Sequence, residues 1–415
     1  MKGSVKSISL IPISFCFLFL FRDEFVVPAR HSCHPEQREA ILELKNDGNV
    51  PSSLGNLSKL TTLDLSNNDF NGEIPSSLEN ISNLTILNLS RNRLLGKIPP
   101  SLGKLSNLTT LHLSQNKLIG KIPSSLGNLS HLTHLTLGAN RLVGEILSSL
   151  ENLSHLTFLS ICENDLSGEI PSSFGNFSRL TFLDISANGF VGEIPPSFGR
   201  LKHLTTLSAE DNNLSGNFPV TLLNLTKLFV LSLDDNQFTG MLPPNISSLS
   251  NLEFFYIRGN AFIGTLPSSL FTIPSLTYVD LVDNQLNGTL DFGNVSLLSS
   301  KIIDLRLGNN NFMGSIPRSI SKLVNLFALD LSHLNTQGSV FGLSILWNLK
   351  SLTDLDISYL NTTTAIDLNA LLSRFKWLNN LNLTGNHVTV EDRSADAESP
   401  LSFQSSYEPN TTCGD

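Results

Sequence analysis

The sequence predicts an α/β solenoid: a right-handed superhelix with a parallel inner β-sheet and irregular or 3-10 outer segments. Three observations carry that prediction. They are a 24-residue period, an L-x-x-L-x-L-x-x-N unit inside it, and a Gly-x-Ile-Pro step after it. From Leu60 the chain reads LTTLDLSNNDFNGEIPSSLEN, then LTILNLSRNRLLGKIPPSLGK, then LTTLHLSQNKLIGKIPSSLGN, each 24 residues after the last. The closing Asn returns at Asn68, Asn92, Asn116, Asn140, Asn164, Asn188, Asn212, Asn236, Asn260, Asn284 and then Asn310. Self-similarity at a fixed period of this length marks stacked repeats.

Each part of the unit has a physical reason. In the L-x-L pair, such as Leu63 and Leu65, residues alternate as in a strand, so both leucines point inward while Asp64 faces solvent. The Asn offers amide donors and an acceptor to backbone groups of a bend that would otherwise leave them unpaired. A second apolar residue follows (Phe70, Leu94, Leu118), then a Gly that permits tight turning (Gly72, Gly96, Gly120). Ile-Pro comes next, and a proline without a donor favours an irregular, extended run over a helix. Ser-Ser-Leu-Gly-Asn-Leu-Ser then returns the chain through a short helical or 3-10 turn. No repeat buries its leucines alone, so stability rests on stacking and on end caps. With strands about 4.8 Å apart, about fourteen repeats give an inner sheet roughly 65 Å long, an extended binding surface. The pattern decays late: Leu334 and Leu360 take the Asn position, Gly-x-Ile-Pro ends at Ile316-Pro317, and Asn386 closes the last unit.

These signals divide the chain into a signal peptide at 1–29, a partial N-terminal cap at 30–48, a solenoid at 49–390 that degenerates after 318, and a disordered tail at 391–415. The leader has Lys2 and Lys6, an apolar stretch from Ile8 to Phe21 too short to span a bilayer comfortably, and Val27-Pro28-Ala29 for cleavage. The mature chain is expected in the secretory pathway, with no further membrane helix. Charged residues are only 15% of the chain, so its surface is polar but mostly uncharged. A net charge of −9 and no Lys/Arg cluster after the leader argue against nucleic acid or an acidic membrane as partner. Cys16 leaves with the leader, and Cys33, Cys162 and Cys413 are an odd number, with Cys33 and Cys413 flanking the whole solenoid. A free or intermolecular thiol is expected.

Three passages then resemble the plant leucine-rich-repeat receptor-like proteins of the defence type. Cys33-His-Pro-Glu-Gln-Arg-Glu-Ala-Ile-Leu-Glu-Leu-Lys45 is similar to the first helix of that family's cap. Gly-x-Ile-Pro is the plant extracellular form of the repeat. Leu331-Ser-His-Leu-Asn-Thr-Gln-Gly338 and Tyr359-Leu-Asn-Thr-Thr-Thr-Ala-Ile-Asp-Leu368 are similar to its degenerate repeats. The resemblance runs from residue 1 to about 390. It implies a leucine-rich-repeat superhelix and a ligand-binding ectodomain at the plasma membrane exterior. That ectodomain would act in pathogen perception on a peptide, protein or glycan, signalling through a co-receptor kinase. Two departures make the chain look truncated. The family's cap continues to a Trp and further cysteines, where here Lys45 runs into Gly48-Asn-Val-Pro51; the family also continues past the degenerate repeats into a membrane helix. The alternatives are a secreted inhibitor of microbial cell-wall-degrading enzymes and a non-functional truncated product.

With the register known, the solvent-facing inner positions mostly carry Thr, Ser or Asn. Repeats seven to ten differ, and the candidate ligand-binding residues are Glu210, Asp211, Asp234, Asp235, Tyr256, Arg258, Tyr278, Asp280 and Asp283, read as projecting from adjacent strands. Tyr supplies contact area and Asp directed acceptors for a basic peptide or a glycan. About sixteen Asn-x-Ser/Thr sites mark a glycoprotein. Asn56, Asn80, Asn128, Asn152, Asn176 and Asn224 share one register and would line one shielded edge. Further sites are Asn83, Asn107, Asn213, Asn245, Asn287, Asn294, Asn361 and Asn410, while Asn88 and Asn382 lie within strands and are expected to be unused. His112, His131, His134 and His155 show no metal-ligand spacing. No catalytic triplet or phosphate loop is present, so the reading is of a binder, not an enzyme, without cofactor or metal.

Overall fold

The computed structural model describes residues 8–10, 18–20, 48–146, 148–293, 301–336, 343–360 and 365–390, in two compact units that divide between Leu204 and Thr205. Most of the expected leader and cap and the whole of the expected tail lie outside the described residues. Within the leader, Ile8–Leu10 and Leu18–Leu20 pair antiparallel.

In the first unit the L-x-L motif forms six parallel sheet strands, Thr62–Asp64, Ile86–Asn88, Thr110–His112, His134–Thr136, Phe158–Ser160 and Phe182–Asp184. Their central leucines pair in register, Leu63 with Leu87, Leu111, Leu135, Leu159 and Leu183 in turn, and all are buried. The second unit holds eight such strands among the described residues, from Thr206–Ser208 to Asn380–Asn382, joined through Leu207, Leu231, Phe255, Val279, Leu305, Leu329, Leu355 and Leu381. Parallel strands need a crossover, and here each crossover is the rest of a single repeat.

Each strand stops after three residues because the chain then turns through a left-handed residue. These include Gln115 (φ 55°), Ala139 (φ 53°) and Asp235 (φ 48°), each directly before the repeat's Asn. The turn swings the Asn inward. Asn92 Nδ2 donates to Leu65 O, Leu89 O and Ser90 O at 2.9, 3.0 and 3.1 Å, and its Oδ1 accepts from Phe70 N at 3.0 Å. Asn116, Asn140, Asn236 and Asn310 repeat the arrangement. Where Leu334 and Leu360 replace it, both leucines are buried, and Leu360 N instead donates to Asn386 Oδ1 at 3.1 Å.

The Gly-x-Ile-Pro stretch departs from the irregular run expected of it. Extended it is, but the residues leading into it, through its Gly, pair with their neighbours as a second, flanking sheet. In the first unit the flank strands include Ile119–Gly120, Arg141–Gly144, Asp165–Glu169 and Gly189–Gly192. Ile119 N donates to Gly96 O and Arg141 N to Leu118 O, each at 2.8 Å. Similar extended runs stacked side by side satisfy one another's backbone groups, and proline falls beyond the strands. Stacking also assembles what no linear run shows: Arg93, Lys117 and Arg141, with Lys97 and Lys121, gather on adjacent flank segments, so the basic cluster that the sequence lacks exists in space.

The return segments are 3-10 turns, for example Ser52–Asn56, Ser124–Asn128 and Val220–Asn224. Among the described residues one α-helix forms, Leu368–Arg374, where the proline is gone and Asp367 caps the helix by accepting from Ala370 N at 3.0 Å.

Candidate ligand-binding face

Sheet register sets the candidate residues out in rows within the second unit. Tyr256 sits between Ser232 and Asp280, and that row continues through Arg306 and Asp330 to Asp356. The row beside it runs Phe254, Tyr278, Asp304. Only Tyr256, Tyr278 and Asp280 of the expected set are strand residues. Glu210, Asp211, Asp234, Asp235, Arg258 and Asp283 lie just past the strand ends, a correction that follows from the early left-handed turn. Asp211, Asp235 and Asp283 occupy that turn themselves, at φ 54°, 48° and 56°, and so form a rim.

The face is more aromatic than the sequence reading held. Phe254 stacks on Tyr278 at 4.6 Å and 8°, lies 6.2 Å from Tyr256, and takes the edge of Phe229 at 5.3 Å. Phe229 is 40% exposed, and Phe327 on the same sheet side is 52% exposed. Phe229 stands where earlier repeats carry Thr, whereas the Phe254 position already holds Phe158 and Phe182 in the first unit, stacked at 4.2 Å. An apolar ring at a solvent-facing repeat position is the signal that would have found them.

The acidic groups are not equivalent. Asp234 Oδ1 accepts from Arg258 N at 2.7 Å, and burial, followed by repulsion from Asp280, raises its carboxyl well above the usual range. Burial pushes Asp280 up to about 6, although Val282 N donates to its Oδ1 at 3.0 Å. Asp235 is raised by burial and by Asp211, with Arg258 opposing. Arg258 Nε lies 3.7 Å from Asp283 Oδ2, and Asn309 Nδ2 donates to the other oxygen of that carboxylate. Burial and then Asp304 raise the Tyr256 hydroxyl, so it stays a donor at neutral pH. The rim is thus the accessible charge, and the floor holds Asp234 and Asp280 as buried carboxyls with raised pKa values.

The face also continues where the sequence reading stopped. Arg306 forms a two-point bridge to Asp304, Nε to Oδ1 at 3.0 Å and Nη2 to Oδ2 at 3.2 Å. Beyond it Asp330 is raised by burial, and Ser332 N donates to its Oδ1 at 2.8 Å. The interval from Asn284 to Asn310 breaks the 24-residue register, which hid Asp304, Arg306, Asp330 and Asp356. Acids with aromatic edges suit a cationic group flanked by apolar ones. A hollow of about 660 Å³ lined by Glu73, Ile74, Lys97, Pro99 and Ile119 lies on the flank of the first unit, not on this face.

A family model described as a leucine-rich repeat region matches residues 138–394, more than half of the chain, and two shorter repeat models match 82–142 and 59–81. The chain belongs to the leucine-rich-repeat family. It is 60% identical over 105 residues to receptor-like protein 18 of Arabidopsis thaliana, a match covering 25% of this chain and 12% of that protein. Among solved structures it is similar to the plant peptide hormone receptor RGFR1 in complex with RGF2, with TM-score 0.71 and 27% identity over 82% of this chain and 61% of that one. It is similar too to the Arabidopsis receptor kinase HAESA in complex with the peptide hormone IDA and the co-receptor SERK1, with TM-score 0.60 and 29% identity over 82% of this chain and 64% of that one. The chain therefore spans a small part of receptor-like protein 18 and under two thirds of either solved receptor chain.

As in any leucine-rich-repeat protein, the repeat decides where side chains outside the face fall. Asn56, Asn80, Asn128, Asn152, Asn176 and Asn224 each end a 3-10 turn and are exposed. Asn213, Asn245 and Asn287 are exposed as well. Asn83 and Asn107 are exposed but donate to Ser58 O and Ser82 O of the preceding repeat. Asn88 Oδ1 accepts from Ser90, and Asn382 bridges Asp356 and Thr384, so both carboxamides are engaged. Asn294, Asn361 and Asn410 lie outside the described residues.

The histidines divide into two pairs. His131 and His155 stack at 6.4 Å, with their Nδ1 atoms at Ser106 O and Ser130 O. His112 Nδ1 meets Thr136 Oγ1 at 2.8 Å, and burial followed by His134 lowers its pKa. Among the described residues no three His, Cys, Asp or Glu side chains gather as metal ligands. Cys162 is buried, 3.2 Å from Ser160 Oγ, and is disulfide-bonded, so the expected free thiol does not apply to it. Cys16, Cys33 and Cys413 lie outside the described residues.

Proposed function

We propose that the chain is the ligand-binding ectodomain of a plant cell-surface receptor-like protein, acting in pathogen perception and signalling through a partner receptor kinase. The observation that carries this reading is the change of the sheet face in the second unit. Thr gives way to Phe229 and Ser to Tyr256, and these join the ring row of Phe254 and Tyr278, which the first unit already carries as Phe158 and Phe182, flanked here by Asp235, Asp283 and Arg258. Aromatic area beside directed charge is how binding surfaces gain most of their affinity. Kinship with receptor-like protein 18 supports the receptor class. The peptide-bound RGFR1 and HAESA structures support a peptide as ligand, and SERK1 beside HAESA supports a kinase partner. The exposed sequon edge supports passage through the secretory pathway and an apoplastic or plasma-membrane-exterior location.

The test uses the secreted full chain, titrated by fluorescence anisotropy against a panel of labelled synthetic peptides that carry one Lys or Arg beside an aromatic residue, with acidic peptides as controls. Basic peptides are expected to bind. D235K/D283K is expected to weaken them at least tenfold while secretion and circular dichroism stay unchanged. Asp234 is left intact because its carboxylate holds the Arg258 backbone. Binding weaker than about 1 mM for every basic peptide, or affinity indifferent to the rim charges, overturns the assignment.

A further inference from the structure

The flank sheet of the first unit presents an apolar stripe to solvent. Leu95 and Ile119 are 46% exposed, Val143 41% and Val191 42%, one from each repeat, with Ser167 filling the fifth place. A row of side chains runs along either side. On one side stand Arg93, Lys117 and Arg141, and then Asp165; on the other stand Lys97 and Lys121, and then Glu145, Glu169 and Glu193. From Arg93 and Lys97 onward both rows change sign near the same repeat, basic before Val143 and acidic after it; ahead of them stand Glu73 and Asp69, the latter bridged to Arg93 at 3.0 Å. Cross-strand register agrees: Ile119 pairs with Lys97 and Arg141, and Val143 with Asp165.

The second of these rows is held flat. Gly96, Gly120, Gly144, Gly168 and Gly192 have φ between 73° and 86°, and the charged side chain of the preceding repeat lies over each. A Cβ on Gly120 would stand 3.1 Å from Lys97 Cγ, and one on Gly168 would stand 2.6 Å from Glu145 Cγ. The charges are therefore laid along the stack rather than splayed into water, and the stripe between the rows stays open. No flank segment from Asp69 to Glu193 carries a sequon, the first to do so being that of Asn213, so glycans attach to other parts of these repeats.

We infer that this flank is a self-association surface whose partner is a second copy of the chain. A two-fold axis near Val143 that reverses the stacking order lays the basic half of each copy on the acidic half of the other and sets stripe against stripe. An isologous contact of this kind needs a patch complementary to itself, which a charge reversal about an apolar centre provides. Five strands about 4.8 Å apart and five residues of about 3.3 Å give a footprint of roughly 400 Å² a side, half that of a standard interface. The dimer is accordingly weak and fast-exchanging, and because its charges are exposed it loosens with salt.

Sedimentation velocity on the secreted full chain at about 100 µM reads the result. Dimer is expected in 50 mM salt and at least a tenfold weaker constant in 500 mM. K97E/K121E, which makes the second row acidic in both halves, and E145K/E169K, which makes that row basic from Lys97 to residue 169, are each expected to be monomeric. Mixed one to one, they are expected to form a heterodimer. All four positions are exposed, and circular dichroism of each variant checks the fold. A wild-type chain that stays monomeric in low salt overturns the proposal. Variants that dimerise as the wild type does, or a mixture that stays monomeric, overturn it too.

Discussion

The carboxamide of Asn92 is shared between two repeats: its nitrogen reaches carbonyls of its own turn and Leu65 O of the turn before, while its oxygen holds Phe70 N. With Asn92 buried, truncation leaves several backbone groups without water or partner, and each such group costs about 1–3 kcal/mol. Asn92→Ala is therefore expected to destabilise the chain by about 2–4 kcal/mol. Because repeats unfold in part, the loss is expected as faster amide hydrogen exchange confined to residues around 65–116. Exchange unchanged there would mean that the ladder is ornamental. The residue scale is also where sequence and structure diverge most at the candidate site. Asp234 and Asp235 are neighbours with the same side chain, yet one accepts from the Arg258 backbone and the other stands on the rim at φ 48°. A turn one residue long decides that, and composition carries no trace of it.

At the scale of the element, the glycine-bearing 3-10 turns at Gly55, Gly103, Gly127 and Gly175 stack so closely on the next turn that the glycine is a packing requirement there. A Cβ on Gly127 would stand 2.1 Å from Ser149 O, a backbone atom of the next repeat that cannot step aside. On Gly189 the nearest atom is Leu166 O at 3.1 Å, and its φ is not positive. Gly127→Ala is expected to cost about 2–4 kcal/mol by forcing neighbouring turns apart, and Gly189→Ala under about 1 kcal/mol. Urea unfolding of the two variants side by side checks this, and equal costs would contradict the stacking argument. The sheet strands were legible because L-x-L needs no tertiary knowledge: alternation places Leu63 and Leu65 inward wherever the strand pairs. The flank strands were not, since Gly-x-Ile-Pro reads as a breaker until an identical segment lies beside it to accept its hydrogen bonds. The face beyond Asn284 was lost for a simpler reason, an interval to Asn310 longer than the period.

At the scale of the whole molecule, stacking converts a sequence poor in charge into one with concentrated charge, because residues 24 apart become neighbours. It also buries carboxylates that a linear reading places in water. Asp184, Asp234, Asp235, Asp280, Asp304 and Asp330 all have raised pKa values, and in each the leading cause is burial. A carboxyl with a folded pKa above its unfolded one binds more protons folded than unfolded between the two values. Its contribution to stability is thus complete below the unfolded pKa and is lost as pH rises through the folded one. For Asp280, which moves from 3.8 to about 6, the window is roughly pH 4 to 6, and two units correspond to an upper bound on the order of 3 kcal/mol. The other five shift the same way. The chain is therefore expected to melt at higher temperature at pH 5 than at pH 7.5, opposite to a protein held by salt-bridged carboxylates. D280N, which removes one titrating group while keeping the shape and the acceptor for Val282 N, is expected to flatten that slope and to raise the melting temperature at pH 7.5 more than at pH 5. Thermal melts followed by circular dichroism across this range decide the matter: a melting temperature that climbs from pH 5 to 7.5 would show that these acids are stabilised as anions in the fold.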